Sequence, residues 1–202
     1  RLAVALARTA IARGATAVNH CAAVGLVHAQ GSVDGVIVED RENGQRLELR
    51  TRCVINATGV WVDAIRRMDR GAGQNLVAPS QGVHIVVDRE FLPGEHAILV
   101  PKTKDGRVLF AVPWLGKIIL GTTDTPCAEL AAEPEPQAGE IDFILGEAAR
   151  YLAKAPTRAD IRSIWVGLRP LVRPPDMETG ETKTLSREHA VLVERSGLGR
   201  AV

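Results

Sequence analysis

The chain has 202 residues, of which 46% are hydrophobic and 24% are charged. This composition is typical of a globular protein with a substantial core and excludes an intrinsically disordered chain. The 25 basic and 24 acidic residues nearly cancel, so no overall field attracts nucleic acid, and we predict no nucleic-acid partner. No apolar run approaches the roughly 18 residues that a membrane-spanning helix requires.

The first third of the chain contains a helical pattern followed by strand patterns. Apolar residues at helical spacing predict an amphipathic helix over residues 1–13 that ends at Gly14. Strands are predicted at residues 17–19, as a three-stranded meander over 24–51, and over 52–57, where the chain runs into Thr58-Gly59. The helix residues that we expect to be buried are Leu2, Val4, Leu6 and Ile11.

The rest of the chain is rich in short strands separated by turns. Four apolar runs predict an antiparallel sheet, at residues 83–87, 97–100, 108–112 and 118–121. Apolar spacing after the Pro-rich segment 133–136 predicts a helix over residues 141–152. Two further strands are predicted, at residues 161–168 and 190–194. The polar, Gly-rich segment at residues 69–74 indicates a domain boundary.

The cysteines and histidines form no recognisable metal-binding pattern. Three cysteines lie far apart without Cys-x-x-Cys spacing, and the histidines have no metal-ligand spacing among themselves. We therefore predict no metal site.

Several motifs carry a resemblance to a known family. Residues 54–61 read VINATGVW, a strand that ends in a Thr-Gly pair. They are followed by QGVHIVV at 81–87, FAVPW at 110–114, GTTDTP at 121–126, GLRPL at 167–171 and SREH at 186–189. These motifs occur in the order found in flavin-linked glycerol-3-phosphate dehydrogenases, and the chain resembles that family over nearly its whole length.

The resemblance implies an α+β fold. In it, the C-terminal portion of a two-dinucleotide-fold FAD domain joins a substrate domain with a mainly antiparallel sheet and flanking helices. We assign residues 1–68 to the partial FAD-binding domain and 69–202 to the substrate (cap) domain, with the last strand returning toward the FAD domain. The resemblance also implies noncovalently bound FAD. The predicted cofactor-binding residues are Val24, Ala57, Thr58, Gly59 and Trp61.

The family's reaction supplies the expected substrate and partners. Its members oxidise sn-glycerol 3-phosphate to dihydroxyacetone phosphate, passing a hydride to the flavin and electrons to a quinone. The resemblance therefore implies a cytoplasmic enzyme that is peripheral to the inner face of the cell membrane. Oxygen remains an alternative to the quinone as the electron acceptor. The sequence does not indicate an oligomeric state.

Two arginines and one histidine are the candidate substrate residues. Arg169 follows an apolar strand, where a guanidinium requires either an anionic ligand or an internal salt bridge. The resemblance makes Arg169 and Arg187 a clamp for the substrate phosphate. His84 lies in an apolar strand as either a hydrogen-bonded core residue or the base that accepts the C2 hydroxyl proton. Arg169 is a competing assignment for the base.

The sequence also departs from the family pattern. It contains no Gly-x-Gly-x-x-Gly turn and no Gly-Gly-Lys-Trp-Thr-Thr-Tyr-Arg segment, and Gln81 stands where many bacterial members have lysine. We therefore expect a central fragment that is inactive by itself. Two other interpretations remain: a non-redox phosphosugar- or anion-binding module, and an amine or hydroxy-acid oxidase of the same flavoprotein superfamily.

Overall fold

The computed structural model describes residues 1–71, 73–104, 106–173, 185, 190–194, 196 and 199–201. In chain order the helices and strands are α1 (Leu2–Ala12), β1 (Cys21–Ala29), β2 (Ser32–Asp40), β3 (Arg46–Arg50), β4 (Ile55–Asn56), α2 (Val62–Arg70), β5 (Val77–Asp88), β6 (Ile98–Val100), β7 (Leu109–Trp114), β8 (Lys117–Gly121), β9 (Thr125–Pro126), α3 (Ala138–Ala148), β10 (Ser163–Val172), β11 (Val191–Val193) and β12 (Gly199–Ala201). The fold is α+β with mainly antiparallel sheets, which confirms the predicted class.

The chain divides into two compact units. Unit 1 comprises Arg1–Asn56, Ala64–Gly73 and Val191–Ala201, and unit 2 comprises Ala57–Asp63 and Gln74–Ala190. None of the described α-helices is long and apolar enough to cross a membrane.

Unit 1 contains two three-stranded sheets. The first is the antiparallel meander β1-β2-β3, as predicted from the sequence. Gln30 and Gly31 both have positive φ at its first hairpin, the backbone that a two-residue turn between twisted strands requires. The second sheet has the order β11-β12-β4, with β12 parallel to β4. The strand predicted at residues 17–19 is wrong, because regular strand structure begins only at β1.

Helix α1 has the predicted position but lacks the predicted burial. It ends before Gly14, whose φ of 93° is a conformation that favours glycine. Its apolar side chains are all exposed, in contrast to the buried stripe that the sequence predicts. Apolar periodicity defines a helix face, but burial requires another element to cover that face.

Unit 2 contains a long antiparallel sheet with helix α3 against one face. The strand order is β10-β5-β8-β7-β6, with β9 also paired to β5. On β5, Val83, Ile85 and Val87 are fully buried and belong to the same hydrophobic cluster as Ile144 of α3. Because side chains alternate across a strand, Gly82, His84 and Val86 lie on the other face. That open face positions the candidate site, and the predicted sheet and helix are confirmed.

We expect the core between the sheet and α3 to supply most of the stability of unit 2. Leu120 of β8 is fully buried, whereas Leu99 of β6 is 59% exposed on the same sheet. Leu120→Ala should lower the free energy of unfolding by about 2–5 kcal/mol. Leu99→Ala deletes the same side-chain atoms at an exposed position and should change the free energy of unfolding by about 0.5 kcal/mol. Urea unfolding of both variants tests this difference, and equal losses would contradict it.

Candidate active site

Three side chains from neighbouring strands meet on the open face of the unit 2 sheet. His84 of β5 lies opposite Trp165 of β10 and opposite Gly121 of β8. Directly opposed residues point to the same face, and so do residues two apart on one strand. Arg169, four residues after Trp165 on β10, therefore shares this face with His84.

The His84 imidazole lies flat between its two neighbours. It stacks on the indole of Trp165 with ring centroids 5.3 Å apart and planes 9° from parallel. On the other side, a Cβ atom at Gly121 would overlap the imidazole, so the glycine is required for this close approach. Over the ranges that the structure describes, neither ring nitrogen makes a hydrogen bond. His84 is half-buried and lies outside the hydrophobic cluster between the sheet and α3, and its role as the base stays a prediction.

The surroundings of His84 favour its neutral form. Burial lowers the pKa of the imidazole below its usual value, and the positive charge of Arg169 lowers this pKa further. A histidine with a lowered pKa is uncharged at neutral pH, so one ring nitrogen has a lone pair that can accept a proton.

Arg169 is held by oxygens from the segment that follows β8. Its Nη1 donates to the carbonyl oxygen of Thr123 at 3.1 Å, and its Nη2 donates to Oγ1 of Thr122 at 2.9 Å. A Cβ atom at Gly82 would overlap the guanidinium, so this second glycine also makes room for a side chain. These contacts fix the plane of the guanidinium. Both acceptors are uncharged oxygens.

The carboxylate of Asp124 also lies near this guanidinium. Its Oδ1 lies 4.0 Å from Nη1 of Arg169, at the outer limit of an ion pair, and accepts a hydrogen bond from the Ser80 hydroxyl. The internal salt bridge considered from the sequence is represented by this long contact to Asp124.

A cleft of about 290 Å³ lies beside the arginine contacts. Thr122 and Thr123, which hold Arg169, also line this cleft together with Asp124, Phe110 and residues 106–108. These threonines belong to the GTTDTP motif at residues 121–126, but nothing in that motif indicates which arginine they contact. Trp165 was likewise missed, because its stacking on His84 depends on strand register.

The remaining predicted site residues are distributed as follows. Val24 lies half-buried in β1 of unit 1, whereas Ala57, Thr58, Gly59 and Trp61 belong to unit 2. Arg187 lies outside the described residues. Gln81 points to the face opposite His84, where its Nε2 donates to the buried Glu140 carboxylate at 2.8 Å.

The segment after β4 fits the close approach of a flat or phosphate-bearing ligand. Gly59 has φ of 60°, and apart from its chain neighbours no residue that the structure describes comes within 4 Å of the place where its Cβ would be. It opens the short 3-10 helix Gly59–Trp61, and Trp61 is 41% exposed. A glycine with open space beside its backbone lets a ligand come closer than any other residue would allow.

We expect the pKa of His84 to depend on the charge of Arg169. Arg169→Gln removes a positive charge that disfavours the imidazolium, so the pKa of His84 should rise. Arg162→Gln removes the same charge from an exposed arginine that pairs with Asp88, and it should leave His84 unchanged. A pH titration of the His84 ring resonances by NMR measures both. A pKa that does not move in Arg169→Gln would contradict the electrostatic coupling.

Comparison with known proteins extends this picture. The profile of the family described as FAD dependent oxidoreductase matches residues 1–198. Glycerol-3-phosphate dehydrogenase, mitochondrial, of Schizosaccharomyces pombe is 38% identical over 98% of this chain and 33% of that protein. The human protein of the same name is also 38% identical, over 98% of this chain and 28% of that protein.

A solved structure shows the same similarity in three dimensions. The glycerol-3-phosphate dehydrogenase of Bacillus halodurans, complexed with FAD, superposes with a TM-score of 0.80 at 34% sequence identity. The match covers 95% of this chain and 36% of that chain. The chain spans about a third of the length of the curated relatives it matches. The match of the family profile over nearly all of its residues establishes that the chain belongs to the FAD-dependent oxidoreductase family.

Proposed function

We propose that the protein containing this chain oxidises sn-glycerol 3-phosphate to dihydroxyacetone phosphate with FAD. The observation that carries this proposal is the pairing of a neutral imidazole, His84, with a positioned guanidinium, Arg169, on one open sheet face. A substrate with a phosphate group and an oxidisable hydroxyl needs these two groups, one to bind the anion and one to accept a proton. The identity to enzymes named glycerol-3-phosphate dehydrogenase supports this choice of substrate.

Arg169 binds the phosphate group in this proposal. A guanidinium presents several N–H donors in one plane and pairs with two phosphate oxygens at once. The bonds to Thr122 and Thr123 hold that plane before the substrate arrives, which reduces the side-chain entropy lost on binding. Arg187 completes the predicted clamp.

His84 is the base in this proposal, and Arg169 is not. Oxidation at C2 requires the hydroxyl at that carbon to lose its proton. The pKa of a guanidinium is above about 12, so Arg169 stays protonated and cannot accept this proton at neutral pH. The lowered pKa of His84 makes the unprotonated form available, and its stacking on Trp165 fixes the direction of the ring nitrogens.

The flavin is held by Ala57, Thr58, Gly59, Trp61 and Val24 in this proposal. The open backbone at Gly59 suits the close approach of the cofactor. FAD held there would supply the acceptor for the hydride from C2. We assign residues 1–68 to part of the FAD-binding domain and 69–202 to the substrate domain, with the last strand returning toward the FAD domain.

We further propose that the electrons leave to a quinone, with the enzyme peripheral to the inner face of the cell membrane. The family resemblance supports this acceptor over oxygen. Reduction of a quinone analogue without hydrogen peroxide supports the quinone, and stoichiometric peroxide would identify an oxidase. Release from membranes by salt or alkaline wash tests peripheral attachment.

The competing interpretations differ from this proposal in the substrate or in the chemistry. Membership of an oxidoreductase family argues against a non-redox anion-binding module. An amine or hydroxy-acid oxidase would have no need for an arginine clamp that suits a dianion. Its substrates would reduce the flavin of the whole protein faster than glycerol 3-phosphate does.

Arg169→Lys in the whole protein tests the phosphate contact. Lysine keeps the charge but loses the planar fork, so the KM for glycerol 3-phosphate should rise about 10- to 100-fold. Arg162→Lys makes the same change at an exposed ion pair and should leave KM unchanged. An unchanged KM in Arg169→Lys would contradict the assignment.

His84→Gln tests the base. Glutamine has a similar size but cannot accept a proton, so kcat should fall about 10²- to 10⁴-fold with a smaller change in KM. His96→Gln changes an exposed histidine and serves as the control. Full kcat in His84→Gln would remove His84 from the reaction.

A further inference from the structure

Glu140 is a buried acidic residue that lies outside the proposed site. It occupies the first turn of α3, is 5% exposed, and accepts four hydrogen bonds. The donors are Nε2 of Gln81 at 2.8 Å, the backbone N–H of Gln137 at 3.0 Å, and the hydroxyls of Thr123 at 2.9 Å and Thr125 at 2.8 Å. Burying a carboxylate is costly unless its oxygens are hydrogen-bonded in this way.

Only one of these four hydrogen bonds is needed to cap the N-terminus of α3. The bond from the Gln137 N–H belongs to the capping box of α3. The other three bonds connect the helix to β5 and to the segment that follows β8. Glu147 offers a contrast, because it is equally buried on α3 but bonds to Arg150 within the same stretch of chain.

Thr123 connects this carboxylate to Arg169. Its hydroxyl donates to Glu140 and accepts from the backbone N–H of Val83 at 2.9 Å, so its side chain is fixed on the core side of the sheet. Its carbonyl oxygen accepts from Nη1 of Arg169 at 3.1 Å on the open side. The adjacent Thr122 supplies the second oxygen that holds the guanidinium.

We propose that Glu140 is a positioning residue for substrate binding, which fixes the Thr122 and Thr123 oxygens that orient the Arg169 guanidinium. This role rests on the proposed function for its substrate. The geometry itself can be tested without substrate or flavin, because the charge of Arg169 also acts on His84.

Removal of the Glu140 carboxylate should have two effects in the whole protein. In Glu140→Ala, Thr123 loses one of the two hydrogen bonds that fix its hydroxyl, and the guanidinium is held less firmly. The KM for glycerol 3-phosphate should therefore rise about tenfold with less change in kcat. As the Arg169 charge moves away, the pKa of His84 should rise. The loss of a nearby negative charge alone would lower that pKa, so the direction separates repositioning from a direct charge effect.

The experiment compares four variants by steady-state kinetics and by NMR titration of His84. Glu147→Ala removes a carboxylate of equal burial from the same helix and should leave both KM and the His84 pKa at parental values. In the double variant Glu140→Ala with Arg169→Gln, the pKa of His84 should not exceed that in Arg169→Gln alone, because no guanidinium charge is left to move. Parental KM and pKa in Glu140→Ala, or a further rise in the double variant, would overturn the proposal.

Further variants decide the question if Glu140→Ala does not fold. Glu140→Gln keeps the size of the side chain but places an NH2 donor where one carboxylate oxygen accepted hydrogen bonds. Thr123→Val removes the hydroxyl. Both variants should raise KM and the His84 pKa, as Glu140→Ala does. Thr123→Ser retains the hydroxyl and should restore parental values. Parental values in both Glu140→Gln and Thr123→Val would overturn the role. Failure to oxidise glycerol 3-phosphate would refute the proposed function alone, because the NMR measurement still tests the positioning.

Discussion

The two-residue alternation of strand β5 is the constraint on which the site depends. Its odd-numbered residues from Val83 to Val87 fill the core against α3, and this burial turns Gly82 and His84 to the open face. A shift of one residue in the pairing register of β5 would bury the imidazole and expose the valines. Strand β10 pairs with β5 along its whole length, from Ser163 to Val172, and so fixes Arg169 relative to His84.

Two glycines make the functional side chains fit within that regular sheet. Gly121 admits the His84 imidazole and Gly82 admits the Arg169 guanidinium, and neither position has room for a Cβ atom. Glycine within a strand weakens the sheet, because it has more backbone freedom to lose and no side chain to pack. The pairing of β10 with β5 from Ser163 to Val172 supports the strand that carries Gly82 and His84.

The sequence predicts the elements whose pattern is local. The β1-β3 meander, the unit 2 sheet and α3 follow from strand alternation, turn residues and helical spacing. Helix α2 was missed because it has nine residues, of which five are charged, so few apolar residues mark its buried face. Helix α1 was predicted at the correct position but with the wrong burial, since a pattern identifies an apolar stripe but cannot show what covers it.

The candidate site residues were proposed from the resemblance, and the contacts that surround them depend on the pairing register of the strands. Trp165, Thr123 and Glu140 are far from their partners in sequence, so no local motif connects them. In the proposed reaction, those contacts would link anion binding to proton transfer. The charge of Arg169 lowers the pKa of His84 in the free protein. A phosphate dianion on Arg169 would offset that charge and raise this pKa, so the proposed base becomes stronger when its substrate is bound.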